Sequence, residues 1–508
     1  MNYIVFEDEV TIYWAKDLYE REKPIYKIFL NGKEISRTEK THYSLVNLNN
    51  ETEYKIKIES SNEDVGVLFS GIICTASSKK RIDVTCEPYN AIGDGITINT
   101  QALQRAIDDC TSADCVYIPE GVFLTGALNL HSNMELYIEK GGVLQGTSDL
   151  VDYLPKINSR FEGTEMLCYR SLINMGQLDK NDVYNCENVV IRGGGTIYGG
   201  GKLLADNIIA FETEQLKEFL NNNADYVASC ENKNTIPGRS RGRLINMSNC
   251  KNVVICDLTL GFGPAWNIHM IYSSDIITFN CKIESSGVWN GDGWDPDSSE
   301  NCTIFGTEFA THDDGIAIKS GKNPEGNIVN KPTRNIKIFD CFGRHGVAIG
   351  SEVSGGIDGV YIWDCSYCDS LGVTIKTTTK RGGYIKNIKV NDCTMAGVAI
   401  MTNLEYNNDG EAAETVTELK NFEFKNLVLY AECINRTGER CLQSPIFIDG
   451  FNDNKNFVEN VQFSDIKIIR KNDNDVKALD VSGTREFSIR DIQDVVENNH
   501  GGNLLRER

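Results

Sequence analysis

Asn335-Ile-Lys-Ile-Phe-Asp-Cys341, Gly359-Val-Tyr-Ile-Trp-Asp-Cys365 and Asn387-Ile-Lys-Val-Asn-Asp-Cys393 are three versions of one segment. Each begins on a residue suited to a turn, continues apolar-x-apolar, and places a cysteine six positions on. Working outward, Asn-apolar-x-apolar starts recur at Asn188, Asn252, Asn301, Asn421 and Asn460, with a related start at Ile276. Between Asn252 and Asn460 the successive intervals are 24, 25, 34, 24, 28, 34 and 39 residues. A repeat of this length marks a solenoid or a propeller. The units are short β runs with no helical period between them, which excludes a helix-based repeat. A four-stranded propeller blade does not fit in the 24-residue intervals. One coil of a right-handed parallel β-helix does. The longer intervals are then coils whose extra residues project as loops and build a binding face.

The recurrent cysteine reads as a stacked interior row, where a free thiol acts as a small hydrophobe. That reading accounts for much of the high count of 17 cysteines without invoking a disulfide framework. Cys365-Ser-Tyr-Cys368 is a lone CxxC and lacks the second pair that a zinc site needs.

Residues 1–78 follow another pattern. Val10–Trp14, Tyr26–Leu30 and Tyr54–Ile58 alternate polar and apolar between turn-rich stretches, the mark of a small antiparallel β-sandwich. Leu48-Asn-Asn-Glu-Thr-Glu-Tyr54 resembles the tyrosine-corner segment of fibronectin type III domains. The expected organisation is all-β: a fibronectin type III-like sandwich over 1–78, then a β-helix over 83–508. Gln101–Asp109, with Asn99 or Thr100 as N-cap, is the helix expected to close the N-terminal end of the solenoid core. Residues 202–240 read as a polar insertion, helical from Glu212 to Asn222, lying as a lid over the cleft.

A net charge of −21 argues against nucleic acid or an anionic membrane as partner, since both select a basic footprint. An anionic substrate would need a locally basic cleft on this acidic body. The first residues lack the basic and apolar regions of a signal peptide, and no apolar run reaches spanning length, so the expectation is a cytoplasmic protein.

Asn290-Gly-Asp292-Gly-Trp-Asp295-Pro-Asp297 puts three carboxylates in one stretch, and His312-Asp313-Asp314-Gly315 follows one short coil later. Neighbouring rungs lie roughly 4.8 Å apart, so Asp292 and Asp314 return to one wall. Glycosidic hydrolysis uses such a set: one carboxyl stays protonated to donate to the leaving oxygen, and another stays ionised to activate water. Crowding the three also raises some of their pKa values. Gly343-Arg344-His345-Gly346 and Ile375-Lys376 follow at two further intervals of 31 residues. His269, His312 and His345 are three of only six histidines, and Lys319, Arg344, Lys376, Lys380 and Arg381 add positive charge suited to a carboxylate-bearing substrate. Each motif alone has a plainer reading: Asp-Asp-Gly and Asn-Gly-Asp-Gly are turn signals, His345 a structural histidine, Lys376 a surface charge, Trp266 and Trp294 core aromatics. Acidic turns also hold Ca²⁺, but the Asp-Gly-rich nonapeptide repeat of such solenoids is absent.

The ordered set Asn290-Gly291-Asp292, His312-Asp313-Asp314, Arg344-His345-Gly346 and Thr374-Ile375-Lys376 resembles the four signatures of family 28 of the glycoside hydrolases, the polygalacturonases. Val116–Gly126, Gly193–Gly200, Gly263–His269 and Lys380–Gly383 extend the likeness over about residues 83–465. The resemblance implies Asp313 as general acid, with Asp292 and Asp314 holding and deprotonating the attacking water, and inversion at the anomeric carbon. It implies His345 hydrogen-bonded within the carboxylate cluster and Lys376 binding a galacturonate carboxylate; the wider set expected to bind substrate is Lys376, Arg381, Lys319, Arg344, His312, His269 and Asn290. Neither metal nor cofactor is expected, and the partner is a pectic oligo- or polysaccharide. A fibronectin-like domain before the helix resembles bacterial exo-acting members. Two positions depart: Gly291 stands where the family has Thr, and Thr374 where it has an Arg that grips a substrate carboxylate. A neutral sugar at that subsite, as in rhamnogalacturonan, therefore stays open. So do a polysaccharide lyase and a non-catalytic glycan-binding β-helix.

Overall fold

The computed structural model describes all residues except 17–22, 63–64, 180–182, 368–370, 406–409, 435–439, 471–475 and 497–508. Cys368 of the lone CxxC therefore lies outside the described residues. The chain forms two compact units, Met1–Arg81 and Ile82–Arg508.

In the first unit, strands Asn2–Val5, Val10–Tyr13 and His42–Leu45 form one antiparallel sheet, and Lys33–Thr38, Tyr26–Leu30, Glu53–Ser60 and Val67–Cys74 form another. Alternation buries Val10, Ile12, Trp14, Tyr26, Ile28, Leu45, Ile56 and Ile58 between them. The Tyr54 hydroxyl accepts a 2.8 Å hydrogen bond from the Asn49 amide, closing the corner that the sequence marks.

The second unit is a parallel β-helix of three strand columns. One runs from Asp114–Ile118 to Thr484–Val496. A second, shorter column runs from Asp94–Ile98 to Ser366–Tyr367 and merges with the first at Tyr384–Met395. The third has eleven described strands, from Leu128–Leu130 to Leu479–Ser482. In this third column Trp294, Ile316, Val347 and Val373 occupy successive rungs and point into the core, so the residues between them face outward.

The recurrent asparagine has a double reason. Asn188, Asn252, Asn301, Asn335, Asn387, Asn421 and Asn460 all adopt φ between 53° and 65°, the left-handed region that Asn tolerates best among side-chain-bearing residues. Their amides also bond from rung to rung: Asn252 to Asn188 at 2.7 Å, Asn335 to Asn301 at 2.7 Å, Asn421 to Asn387 and Asn460 to Asn421 at 2.9 Å. Gly359 fills the same corner at φ 78°. The start read at Ile276 belongs one residue earlier, because Asp275 holds the corner at φ 57° and Ile276 pairs with Val253. Cys341, Cys365 and Cys393 are buried and unbridged, each thiol bonded to the carbonyl two residues before it. Beside them Phe279, Phe305, Phe339 and Trp363 stack with centroids 5.0, 4.8 and 4.4 Å apart.

Helix Thr100–Asp108 buries Leu103, Ala106 and Ile107 in the end of the core. Asn99 occupies the N-cap position, but its side chain does not cap; its amide instead clamps Ile92 through both N–H and C=O. The insertion is more helical than its polarity suggests, with helices Gly201–Gln215, Lys217–Asn222, Ala224–Ser229 and Thr235–Gly238. Leu204 and Ile208, one turn apart, dock Gly201–Gln215 on the solenoid core. Its apolar face is narrow, so the sequence pattern hides its start.

Replacing Asn335 with Ala removes a ladder bond of about 1 kcal/mol and loses the tolerance Asn has for the left-handed corner, a conformation that costs Ala roughly 1–2 kcal/mol. Urea unfolding is expected to show Asn335→Ala less stable than Asn335→Gly, and both below the parent chain.

Candidate active site

Register assembles the site. Trp294 pairs with Ile316, Ile316 with Val347, and Val347 with Val373. Two residues before these strand positions stand Asp292, Asp314, His345 and Leu371, so the first three rise on consecutive rungs at one edge of the third column. At the other edge, Lys319 and Lys376 follow Ile318 and Ile375 two rungs apart. Between the edges lie the outward positions His269, Asp295, Ala317, Ala348, Thr374 and Ala399. The intervals of 31 residues thus bring His345 and Lys376 to opposite edges of the third column rather than to a single edge.

The Asp292 edge is held from both sides. The Asp292 carbonyl accepts from the backbone N–H and the side-chain amide of Asn267, both at 2.9 Å. The Gly293 amide donates to the Asp314 carbonyl at 3.1 Å. The His345 Nδ1–H donates to the Asp313 carbonyl at 2.6 Å, which assigns the tautomer and leaves Nε2 as the acceptor. Burial lowers the His345 pKa, so the ring is neutral near neutral pH. Lys376 Nζ lies 3.0 Å from Asp314 Oδ2.

Beneath the cleft is a layer of buried charge. Lys319, 4% exposed, sits 3.4 Å from Asp292, 3.5 Å from Asp295 and 3.9 Å from Glu352, with its Nζ 4.6 Å above the Trp266 ring. Burial pushes the Asp292 carboxyl up and that of Asp295 up to about 7, with Lys319 opposing both. Glu352 is held below its usual range by Lys319 and then Arg381, against the cost of its burial. One layer further in, Arg160 bonds Asp297 at 2.9 Å and Ser298 at 2.9 Å, and His269 lies 3.5 Å from Asp297. Burial lowers His269 to about 4, which keeps it neutral.

The expected residues divide accordingly. Asp292, Asp313, Asp314, His345, Lys319 and Lys376 come together. Arg344 is exposed and His312 half-buried, with the Gly287 amide 3.4 Å from its Nδ1. Asn290 takes φ 53° and accepts a 2.7 Å bond from Arg241, whose guanidinium also holds the carbonyls of Gly238, Pro264 and Trp289. The insertion's last turn is thereby tied to the loop that carries Asp292. His269 and Arg381 differ from expectation: both are buried and face protein groups. Arg381 bonds Asn323 at 2.7 Å and the Ser351 carbonyl at 2.9 Å, so it does not replace the arginine missing at 374. Trp294 is a core residue, its N–H bonded to Thr278 at 3.1 Å. Trp266 lies under Lys319, stacked on Phe161. Gly291 has a steric cause: a Cβ there would meet Ser285 Oγ at 2.7 Å and the Val288 carbonyl at 2.8 Å, so Thr does not fit this turn.

Sequence names Asp295 and Asp297 only as members of the acidic stretch, without a role, and leaves Glu352, Arg160 and Arg243 unmarked. Alternation along Trp294–Asp297 would have placed Asp295 and Asp297 on the outer face.

The model for the glycosyl hydrolases family 28 matches residues 132–481. The chain belongs to this family. It is similar to a probable polygalacturonase of Vitis vinifera, 31% identical over 346 residues, covering 64% of this chain and 62% of that one. It is also similar to an exo-poly-alpha-D-galacturonosidase of Dickeya chrysanthemi, 27% identical over 382 residues, covering 70% and 63%. The chain thus spans less than two thirds of the length of these curated relatives. A hyperthermoactive exopolygalacturonase from Thermotoga maritima superposes with a TM-score of 0.63 at 26% identity, covering 83% of this chain and 91% of that one. The family 28 exopolygalacturonase of Yersinia enterocolitica shares the fold over 98% of both chains, with a TM-score of 0.77 at 18% identity.

Arg160→Met strands the Asp297 carboxylate in the interior and is expected to cost about 3–5 kcal/mol, read as a lowered thermal unfolding midpoint. Asp295 sets a pH dependence of its own. Its folded pKa stands at about 7, above the ordinary 3.8, so in that window the folded chain holds a proton that the unfolded chain releases. Stability from this group therefore falls as pH rises through the window. Asp295→Asn is expected to flatten that part of a urea-stability profile.

Proposed function

We propose that the chain is a pectin-directed glycoside hydrolase that cleaves α-1,4-galacturonosyl linkages, exo-acting and inverting. The observation that carries the reading is the register-stacked set Asp292, Asp314 and His345 with Asp313 beside it, opposite Lys376 on the same sheet. The activities of the Dickeya and Thermotoga relatives support galacturonide chains and exo action.

In this mechanism Asp313 donates its proton to the leaving glycosidic oxygen as that bond breaks. Asp292 and Asp314 orient a water and take its proton as the oxygen attacks the anomeric carbon. His345, donating Nδ1–H to the Asp313 carbonyl, fixes the turn that aims the acid. Lys376 holds Asp314 in place and offers positive charge to a uronate carboxylate. One observation favours a variation in substrate: Thr374 lies between Ala348 and Ala399 in register, so that stretch of floor carries no cation. A neutral sugar fits there as well as a uronate does. The N-terminal sandwich we read as a fibronectin type III-like module, on its three-plus-four strand split and the Tyr54 corner.

Incubation with galacturonan, rhamnogalacturonan and their oligosaccharides, with products identified by mass, is expected to give saturated monomeric or short products from a galacturonide chain end. Unsaturated products would indicate a lyase instead, and binding without any product a glycan-binding protein. Asp313→Asn is expected to lower kcat by about 10²–10⁴-fold with an unchanged far-ultraviolet spectrum; normal turnover by that variant removes Asp313 as the acid.

A further inference from the structure

Three carboxyls share one ammonium under the cleft floor. Lys319 Nζ is within 4 Å of Asp292, Asp295 and Glu352, and none of the four side chains is more than 13% exposed. Other charges face this group from every neighbouring coil. Asp313 and Asp314 stand on the next rung, Asp297 two residues further along the same strand, and His269 and Arg243 below. Arg160 is committed to Asp297, and neutral His269 adds no charge. Arg243 spends its guanidinium on the carbonyls of Arg241 and Arg160, lying over Phe161 and Trp266. Arg241 is spent on carbonyls and Asn290. Among the described residues neither Asp295 oxygen receives a hydrogen bond from a neutral donor. Two carboxylates in so dry a site, with the one contacting cation shared three ways and Arg243 and Arg381 acting only from farther off, do not both ionise. Asp295 is fully buried, whereas Asp292 keeps 4% of its surface at the cleft.

We propose that Asp295 is a proton-holding positioning residue behind Asp292: it keeps a proton throughout turnover, and Lys319 balances the charge so that Asp292 is the ionised member of the pair. This rests on the hydrolytic reading of the site. Asp295 neither gives nor takes a proton in the reaction; the water proton goes to Asp292 and the Asp313 proton to the leaving oxygen. A retained proton turns Asp295 from a repelling anion into a neutral neighbour of the base. Lys319, read from sequence as a substrate-binding cation, becomes the counter-charge of the pair. As pH rises through about 7, Asp295 loses its proton and the two anions face each other, which adds an alkaline limb to turnover.

The test is kcat and KM against pH for the parent chain, Asp295→Asn, Asp295→Ala and Lys319→Met, on whichever pectic oligosaccharide the parent cleaves. Asn cannot lose the proton yet keeps a donor. Asp295→Asn is expected to move the alkaline limb to higher pH and to turn over at least about tenfold faster than Asp295→Ala. Lys319→Met is expected to lower kcat with little change in KM. An alkaline limb unmoved in Asp295→Asn, or equal rates for the Asn and Ala variants, overturns the proposal, as does a Lys319→Met variant that raises KM and keeps kcat. Infrared difference spectra give a readout independent of activity: one protonated-carboxyl band of the parent in mildly acid buffer is expected to vanish in Asp295→Asn. If no pectic substrate is cleaved, the hydrolytic reading fails while that band still decides the state of Asp295; its persistence in Asp295→Asn overturns the proposal.

Discussion

Every feature of the candidate site depends on parallel strands stacking in fixed register at a spacing of roughly 4.8 Å. Side-chain position within a strand has period two, so a slip of one residue in any coil would turn its outward residues into the core. The ladders prevent that slip. An asparagine that both occupies a left-handed corner and bonds to the asparagine of the next rung fits in only one register. The aromatic stack from Phe279 to Trp363 runs through the same coils that carry Asp292, Asp314 and His345. Side chains drawn from separate coils are thereby held in one fixed arrangement.

The floor of the cleft brings charge into the interior, which a β-helix core of Ile, Val and Leu would not tolerate without pairing. The pairing is layered. Arg160 neutralises Asp297 in the deepest layer; Lys319 serves Asp292, Asp295 and Glu352 above it; Lys376 meets Asp314 at the half-exposed top. Each layer is drier than the one above, so electrostatic effects grow with depth. Lys376 and Asp314, nearest the surface, are the least constrained by burial, and the buried charges below bear on the state of Asp292.

The solenoid was legible in sequence because each coil repeats a turn residue and an alternating run, and that periodicity is local. The misplaced start at Ile276 shows the limit: Asp275 holds the corner in place of Asn, and a pattern built on Asn passed over it. The helix over Gly201–Gln215 lacks a clean helical period for a related reason: apolar residues also fall off its buried face, where Leu203 and Phe211 are exposed. The ordered motifs carried the wall of Asp292, Asp314 and His345 because strand spacing alone returns them to one edge.

The roles of charged residues inside the wall were another matter. Lys319 and Arg381 look alike in sequence, as cations near acidic motifs. Tertiary packing made one the shared counter-ion of three carboxyls and bound the other to Asn323 and a backbone carbonyl. Glu352 and Arg160 carry no local mark at all, because their partners lie on other coils and on the hairpin Ile157–Phe161 and Thr164–Cys168. By itself the sequence determined the repeat, the strand faces and the order of the acids, all properties of residues a coil apart. Only the tertiary structure decided which carboxyls share a cation and which stay dry, because burial and charge pairing depend on distances across coils that no spacing along the chain encodes.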